Sequence, residues 1–192
     1  LMYWQVYLHK TSVACEKMIN NTLLRAKELA HQGVELFVTP ALRYFLYGDI
    51  TREMFFNDEQ CLETFTQLDD NDIWCALKTW ANHEDKVLAT LSSGLVNRRL
   101  FKVEIDSKPF SDEYKDGIVT RIADSLHIDK DECSYLLCAA IHEKDMYTAA
   151  DDQIEILYND GTTRDIAEAS DMFDLTLLQK KVKKHYICYH RV

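Results

Sequence analysis

Hydrophobic positions in the first thirty residues recur at helical spacing. Neither glycine nor proline occurs between residues 3 and 30, and good helix formers dominate. Apolar, small and threonine side chains return every three or four positions, at Tyr7, Thr11, Ala14, Met18, Thr22, Ala26 and Leu29. This period predicts one long amphipathic helix from Tyr3 to about Ala30, ended by Gly33.

Capping signals predict four more helices before residue 98. Thr39-Pro40 is typical of a helix start, Asn57 is a candidate N-cap, and the LDDND segment at 68–72 is rich in capping carboxylates. The predicted helices cover 40–47, 58–65, a segment after LDDND that contains Trp74, Leu77 and Trp80, and 84–95. Residues 1–98 are therefore predicted to form an all-helical part.

The periodicity changes after residue 98. KVEI alternates as a strand does, CSYLLCAAIH is typical of a buried strand, and Asn159-Asp160-Gly161 is a hairpin turn. The predicted order is β-α-β-β-β-α-β, with elements at 102–105, 111–125, 133–142, 153–158, 163–169, 170–183 and 186–190. We therefore expect an α+β fold, in which residues 99–192 form a lobe with a small antiparallel sheet and helices on one face.

Composition narrows the classes of function. Lys and Arg number 22 and Asp and Glu 32, so the net charge is −10, which disfavours general nucleic-acid binding. Six scattered cysteines without a C-x-x-C pair are typical of reduced thiols in a cytoplasmic protein. No stretch approaches the roughly 18 apolar residues of a membrane span.

A search for catalytic motifs finds none. Seven histidines are present, but no HExxH, no His-Asp dyad, no G-x-S-x-G and no glycine-rich phosphate loop. The sequence therefore predicts no catalytic residue, no metal ligand set and no cofactor site in this chain.

Three clusters combine basic and aromatic residues. At about 100° per residue, Tyr7 and Lys10 would lie about 60° apart on a helix, with His9 nearly opposite Tyr7. NRRLFK brings together Arg98, Arg99 and Lys102, three cations that could bind phosphate groups. The alternative interpretations are the polar rim of a core helix for the first cluster and a solvated connection for the second. KKVKKH at 180–185 is interpreted as the cationic end of a helix.

Taken in order, YLHKT, LDDNDIW, NRRLFK and the tail EASDMFDLTLLQKKVKKHYICY resemble the C-terminal portion of HD-domain phosphohydrolases of the deoxynucleoside triphosphate triphosphohydrolase type. In that family an H…HD…D set upstream of the YxHK segment holds a divalent metal. This chain has no such set, and its leucine start fits a missing N-terminal part. The resemblance therefore implies the back part of an HD-type helical domain followed by a C-terminal lobe, inactive as an isolated chain.

The resemblance also implies roles for individual residues. Tyr7 matches a tyrosine that packs against the substrate sugar, and His9 and Lys10 match positions that line an allosteric nucleotide site. Arg98 and Lys102 match basic residues that contact an activating nucleotide across a subunit interface, so a homo-oligomer is expected. The chain departs from the regulated members after QIEILY, where they have a phosphate-binding lysine and this chain has Asn159-Asp160.

Three hypotheses remain open from the sequence. The chain could be the substrate-wall, regulatory and assembly portion of a triphosphohydrolase, partnered by the missing N-terminal HD part. It could instead be a non-catalytic module that binds a nucleotide and controls oligomerisation. It could also be a structural interaction domain whose aromatic N-terminal segment packs on a partner.

Overall fold

The computed structural model describes residues 9–144, 155–165 and 182–192, and it confirms the α+β class. Within these residues it contains the helices α1 Lys10–His31, α2 Pro40–Tyr47, α3 Met54–Asn57, α4 Glu59–Thr66, α5 Asp70–Trp80, α6 Lys86–Val96 and α7 Asp112–Leu126. The strands are β1 Lys102–Asp106, β2 Leu137–Lys144, β3 Glu155–Leu157, β4 Thr163–Asp165 and β5 Val182–Tyr189, and a 3-10 helix covers Glu132–Tyr135.

Helix α1 begins later than the sequence predicts. His9 has an extended backbone (φ −60°, ψ 133°), and its Nδ1 accepts the Thr11 N–H at 3.3 Å. His9 is therefore the N-cap, and the prediction of a helix running through it was wrong, because this side chain satisfies an otherwise unpaired amide. Residues 3–8 of that prediction lie outside the described residues. At the other end Gly33 has φ +87°, which confirms it as the stop.

The capping predictions at α5 and α7 are confirmed and the one at α4 is corrected, while Thr39 is the N-cap of α2 by position but makes no side-chain capping bond. Asp69 accepts the Asn71 and Asp72 amides while Asp72 accepts the Asp69 amide, which is a capping box at the start of α5. Ser111 caps α7 as predicted. Asn57, however, is the last residue of α3, and the neighbouring Asp58 caps α4 through the Gln60 amide.

The helical core lies where α1, α5 and α6 pack together. Met18, Leu77, Trp80, Leu88 and Leu91 are each at most 1% exposed, and α6 packs against both α1 and α5. Burial of this much apolar surface is the main force that holds these helices together.

The larger sheet has the strand order β1-β5-β2, and β3 pairs antiparallel with β4 across the predicted hairpin, where Gly161 has φ +83°. Two predictions at strand ends were wrong. Residues 133–135 turn in a 3-10 helix through successive bonds from each amide to the carbonyl three residues earlier, and β2 starts at Leu137. Residues 182–185 belong to the central strand β5 rather than to a helix end, because its ladder with two neighbours outweighs local preference. Residues 166–181, where that helix was predicted, lie outside the described residues.

Backbone contacts divide the chain into two compact units. The first comprises Leu1–Glu104, Phe110–Ala139 and Ile187–Val192, and the second Ile105–Pro109 and Ala140–Tyr186. The predicted division between 1–98 and 99–192 stays a prediction. All six cysteines are free thiols. No helix in the described part of the chain is long and apolar enough to cross a membrane.

Candidate functional site

A cavity of about 940 Å³ lies in the first unit. The start of α1, the second half of α6, the connection from α6 to β1, and the two residues after β5 all contribute to it. Its lining contains five cations and neither aspartate nor glutamate: Lys10, Arg98, Arg99, Lys102 and Arg191. We call this cavity the basic pocket. Its other lining residues are Thr11, Ala14, Thr90, Ser93, Gly94, Leu100, Phe101, Val103, Leu126 and His190.

The electrostatics of the basic pocket oppose those of the whole chain. A protein with a net charge of −10 gathers here five of its 22 basic residues. Within residues 9–144, 155–165 and 182–192, none of Lys10, Arg98, Arg99 or Arg191 forms an ion pair. Like charges held together repel one another, so an anion that enters the pocket relieves this repulsion.

The turn that follows α6 has an unusual backbone. The Arg99 N–H donates to the Gly94 carbonyl at 2.8 Å and the Arg98 N–H to the Leu95 carbonyl at 3.2 Å, as in a Schellman motif. Arg98 occupies its left-handed position, with φ +56°. Glycine is favoured there, since a β-carbon costs about 1–2 kcal/mol in this region. Arg98 thus has a backbone conformation that glycine would adopt more easily, at a position where its side chain lines the basic pocket.

Met18 on helix α1 packs against the same turn. The Phe101 N–H donates to the Sδ of Met18 at 3.3 Å, and both side chains are buried. Gly94 lies against the same methionine: a β-carbon added there would be 2.7 Å from the Met18 Cε and 3.1 Å from the Arg99 carbonyl oxygen. The backbone of residues 98–102, which carries these cations, therefore packs closely against α1 and α6.

We expect Gly94→Ala to lower the free energy of unfolding by about 1–3 kcal/mol, because the new methyl group overpacks this contact. Gly117→Ala in α7 is the matched control, since a β-carbon there meets nothing within 4 Å. The control should raise stability by roughly 0.5–1 kcal/mol through helix propensity. Urea unfolding followed by circular dichroism measures both, and equal shifts in the two variants would contradict the packing argument.

Lys102 differs from the other cations because it has a carboxylate partner. Its Nζ lies 2.7 Å from the Glu104 Oε1, and this bond raises the pKa of Lys102. Glu104 also accepts the Tyr189 hydroxyl at 2.6 Å and the Tyr114 hydroxyl at 3.0 Å. Hydrogen bonds from Lys102 and Tyr189 lower the pKa of Glu104 to about 2. Glu104 is thus ionised throughout the physiological range.

His190 adds a polar group without adding charge. Burial and the nearby Arg99 both lower the pKa of His190 below its usual 6.5, because each disfavours the charged ring. The ring packs edge-on against Phe101, with centroids 6.5 Å apart. At neutral pH the basic pocket therefore has a neutral imidazole beside its cations.

The structure brings together Lys10, Arg98 and Lys102, three of the residues that the sequence singled out, in one pocket. His9 is exposed at the start of α1 and does not line it. Tyr7 lies outside the described residues. Arg98 and Lys102 do not lie together on one strand, because Arg98 has a left-handed backbone and β1 begins only at Lys102. The roles assigned to these residues stay predictions.

Sequence reasoning missed His190 and Arg191. They follow the final strand, and β5 brings them to the pocket from about ninety positions away along the chain. A basic pair directly after an apolar strand end in an acidic chain was the only local signal available.

Metal ligands show no comparable convergence: in the described ranges no three His, Cys, Asp or Glu side chains are placed to hold an ion.

Comparisons with known proteins show that the whole chain is similar to part of a longer protein of known structure. No family model matches the sequence. The chain is 57% identical over its full length to a solved structure of a phosphohydrolase from Bacteroides thetaiotaomicron, with a TM-score of 0.92, and it covers 47% of that protein's chain. It is also 31% identical over 102 residues to the uncharacterized protein YwfO of Bacillus subtilis (strain 168), which is 53% of this chain and 21% of YwfO. This chain thus spans less than half the length of either protein and is similar throughout to part of a phosphohydrolase.

Proposed function

We propose that this chain is the C-terminal regulatory and assembly portion of a metal-dependent HD-domain phosphohydrolase that acts on deoxynucleoside triphosphates. Within it, the basic pocket binds the phosphates of a nucleotide. The full-length likeness to a phosphohydrolase supports the class of reaction. The ordered motifs YLHKT, LDDNDIW and NRRLFK support the family and the substrate.

The observation that carries the proposal is the convergence of five cations without a lining carboxylate. Three arginines present planar, multiply donating groups that pair well with phosphate oxygens, and two lysines add compact charges. Thr11, Thr90 and Ser93, whose side chains are polar and uncharged, line the same cavity. A volume of about 940 Å³ falls in the range of small-molecule sites.

The chemistry of hydrolysis is divided between this chain and the rest of the protein. A divalent metal, held by an H…HD…D set elsewhere, would supply the activated water that attacks phosphorus and releases triphosphate. From this chain Tyr7 would pack on the substrate sugar, and His9 would lie at the edge of the nucleotide site. Lys10, Arg98 and Lys102 would bind an activating nucleotide between subunits of a homo-oligomer.

A non-catalytic nucleotide-binding module is the second candidate. All lining residues of the basic pocket belong to the first unit, so an isolated chain could bind a nucleotide without any hydrolytic partner. The two candidates differ in activity rather than in binding. Full-length protein that hydrolyses dGTP with added metal, alongside this chain that does not, would favour the first.

The basic pocket is tested by calorimetric titration of this chain with inorganic triphosphate, dGTP and orthophosphate. We expect triphosphate and dGTP to bind and to raise the melting temperature, and added salt to weaken both effects. Lys102→Ala should reduce the shift without abolishing binding, because four other cations still line the pocket. Lys130→Ala, which deletes an exposed lysine outside the lining, should leave it unchanged. Absence of binding by any of the three anions would contradict the proposal.

A further inference from the structure

We propose that Glu104 is a built-in competitor for Lys102 and thereby sets the affinity of the basic pocket for phosphate groups. This inference rests on the function proposed above. It assigns a regulatory role to a carboxylate that lies next to the pocket without lining it.

The two side chains share one face of strand β1. Residues two apart on a strand point to the same side, which places Lys102 and Glu104 next to each other. The Lys102 Nζ, 2.7 Å from the Glu104 Oε1, is also 5.6 Å from the centre of the Tyr189 ring. Lys102 thus contributes to the pocket lining while its ammonium group is bound to an anion of the protein itself.

Glu104 is held much more firmly than Lys102. Two tyrosine hydroxyls donate to its carboxylate, from Tyr189 on β5 and Tyr114 on α7, and its side chain is 28% exposed. Lys102 is 53% exposed on a flexible four-carbon stem. When an anion enters, we therefore expect the lysine to move and the carboxylate to stay.

An incoming phosphate then has two ways to engage Lys102, and both are weakened by Glu104. It can take the ammonium group from the carboxylate, which breaks a charge-assisted bond. It can instead share the ammonium group, since an ammonium has three donors, but then two anions lie close together and repel. Because Glu104 stays ionised at neutral pH, this competition is always present. Its effect is to keep Lys102 unavailable to weakly bound single anions.

The test measures triphosphate binding by calorimetry for wild type, Glu104→Gln, Lys102→Met and the double variant. Glutamine keeps an oxygen that accepts the tyrosine hydroxyls but removes the charge. We expect Glu104→Gln to bind triphosphate roughly 3–10-fold more tightly, the scale of a partly exposed ion pair. In the Lys102→Met background the same substitution should change affinity less than twofold, because the competitor has lost its target.

Two controls separate this role from simpler ones. Glu63→Gln removes an exposed carboxylate on α4 and should leave affinity unchanged, which excludes a general effect of net charge. Glu104→Leu is a second charge-free variant, and urea unfolding checks that each variant is folded. Unchanged or weaker binding by Glu104→Gln, or an equal gain in the Lys102→Met background, would overturn the inference while leaving triphosphate binding intact. If neither wild type nor Glu104→Gln binds triphosphate, the proposed function fails as well.

Discussion

Replacement of Arg25 by methionine is expected to lower the free energy of unfolding by about 3–5 kcal/mol. Arg25 on α1 is 10% exposed and binds three carboxylates, Asp85 at 2.6 Å, Glu28 at 2.8 Å and Glu132 at 3.0 Å. Methionine fills a similar volume but leaves these anions facing one another without a cation. Breaking such a pair from one side is costly, because the remaining charges stay partly buried. Equilibrium unfolding in urea at pH 7 measures the loss.

Arg43→Met is the matched control for Arg25→Met. Arg43 binds Glu35 at 2.7 Å, but the two side chains are 48% and 74% exposed, and water screens such a pair. We expect its removal to change stability little. A loss for Arg25→Met no larger than that of the control would show that the buried cluster contributes nothing special.

The effect of Arg25→Met should also depend on pH. Burial raises the pKa of Asp85, but hydrogen bonds from Arg25 and the Leu88 amide lower this pKa by more, so the net shift is downward. Hydrogen bonds from Tyr135 and Arg25 lower the pKa of Glu28. A carboxylate with a lowered folded-state pKa stabilises the protein above its unfolded pKa, and this contribution is lost as pH falls. Below about pH 4, wild type should therefore lose more stability than the Arg25→Met variant. The difference between their free energies of unfolding should shrink as the pH falls.

Arg98→Gly is expected to change stability and ligand affinity in opposite directions. Glycine relieves the left-handed strain at φ +56° and should stabilise the fold by about 0.5–1 kcal/mol. The loss of a guanidinium from the basic pocket should weaken triphosphate binding by roughly tenfold or more, the scale of a hydrogen bond to a charged group. Urea unfolding and calorimetric titration of the same preparation give both numbers.

His127→Gly isolates the backbone part of that prediction. His127 follows α7 with φ +51° and lies outside the pocket lining, and the Lys86 ammonium donates to its carbonyl rather than to its ring. Its replacement should raise stability by a similar amount and leave affinity unchanged. Weaker triphosphate binding in both glycine variants would mean that Arg98 acts through folding and not through its side chain.

Much of the fold was predictable because its signals are local. Asp69 with Asp72, Ser111, Thr39-Pro40 and Gly161 each act within four residues of their own position, so a single sequence reveals them. The errors fall where a distant partner decides. Residues 182–185 have the composition of a helix end, yet they pair between β1 and β2 in the centre of a sheet. No local pattern contains that pairing.

In the candidate site too, the residues that are close in sequence were predictable, and those brought together by the fold were not. Arg98, Arg99 and Lys102 form a visible cluster in the sequence, and a family resemblance points to Lys10 and Arg98. The sequence could not show that Gly94 lets the turn approach Met18, nor that Arg191 arrives beside it from the far end of the chain. His9 has a role that the helical period across residues 3–30 did not predict, because its side chain caps the start of α1. The nucleotide-site role that the family resemblance gives it stays a prediction.

The cluster around Arg25 has a consequence for how the basic pocket is built. Met18 and Arg25 are seven residues apart on α1, about two turns, and so lie on the same side of the helix. Arg25 holds Asp85, the N-cap of α6, while Met18 contacts Gly94 near the other end of α6. These two contacts lie far apart along α6 and fix the register between α1 and α6. A shift of one helix by one turn would break both contacts. The backbone that carries Arg98, Arg99 and Lys102 is thus preorganised before any anion arrives, and binding needs little further ordering of that backbone.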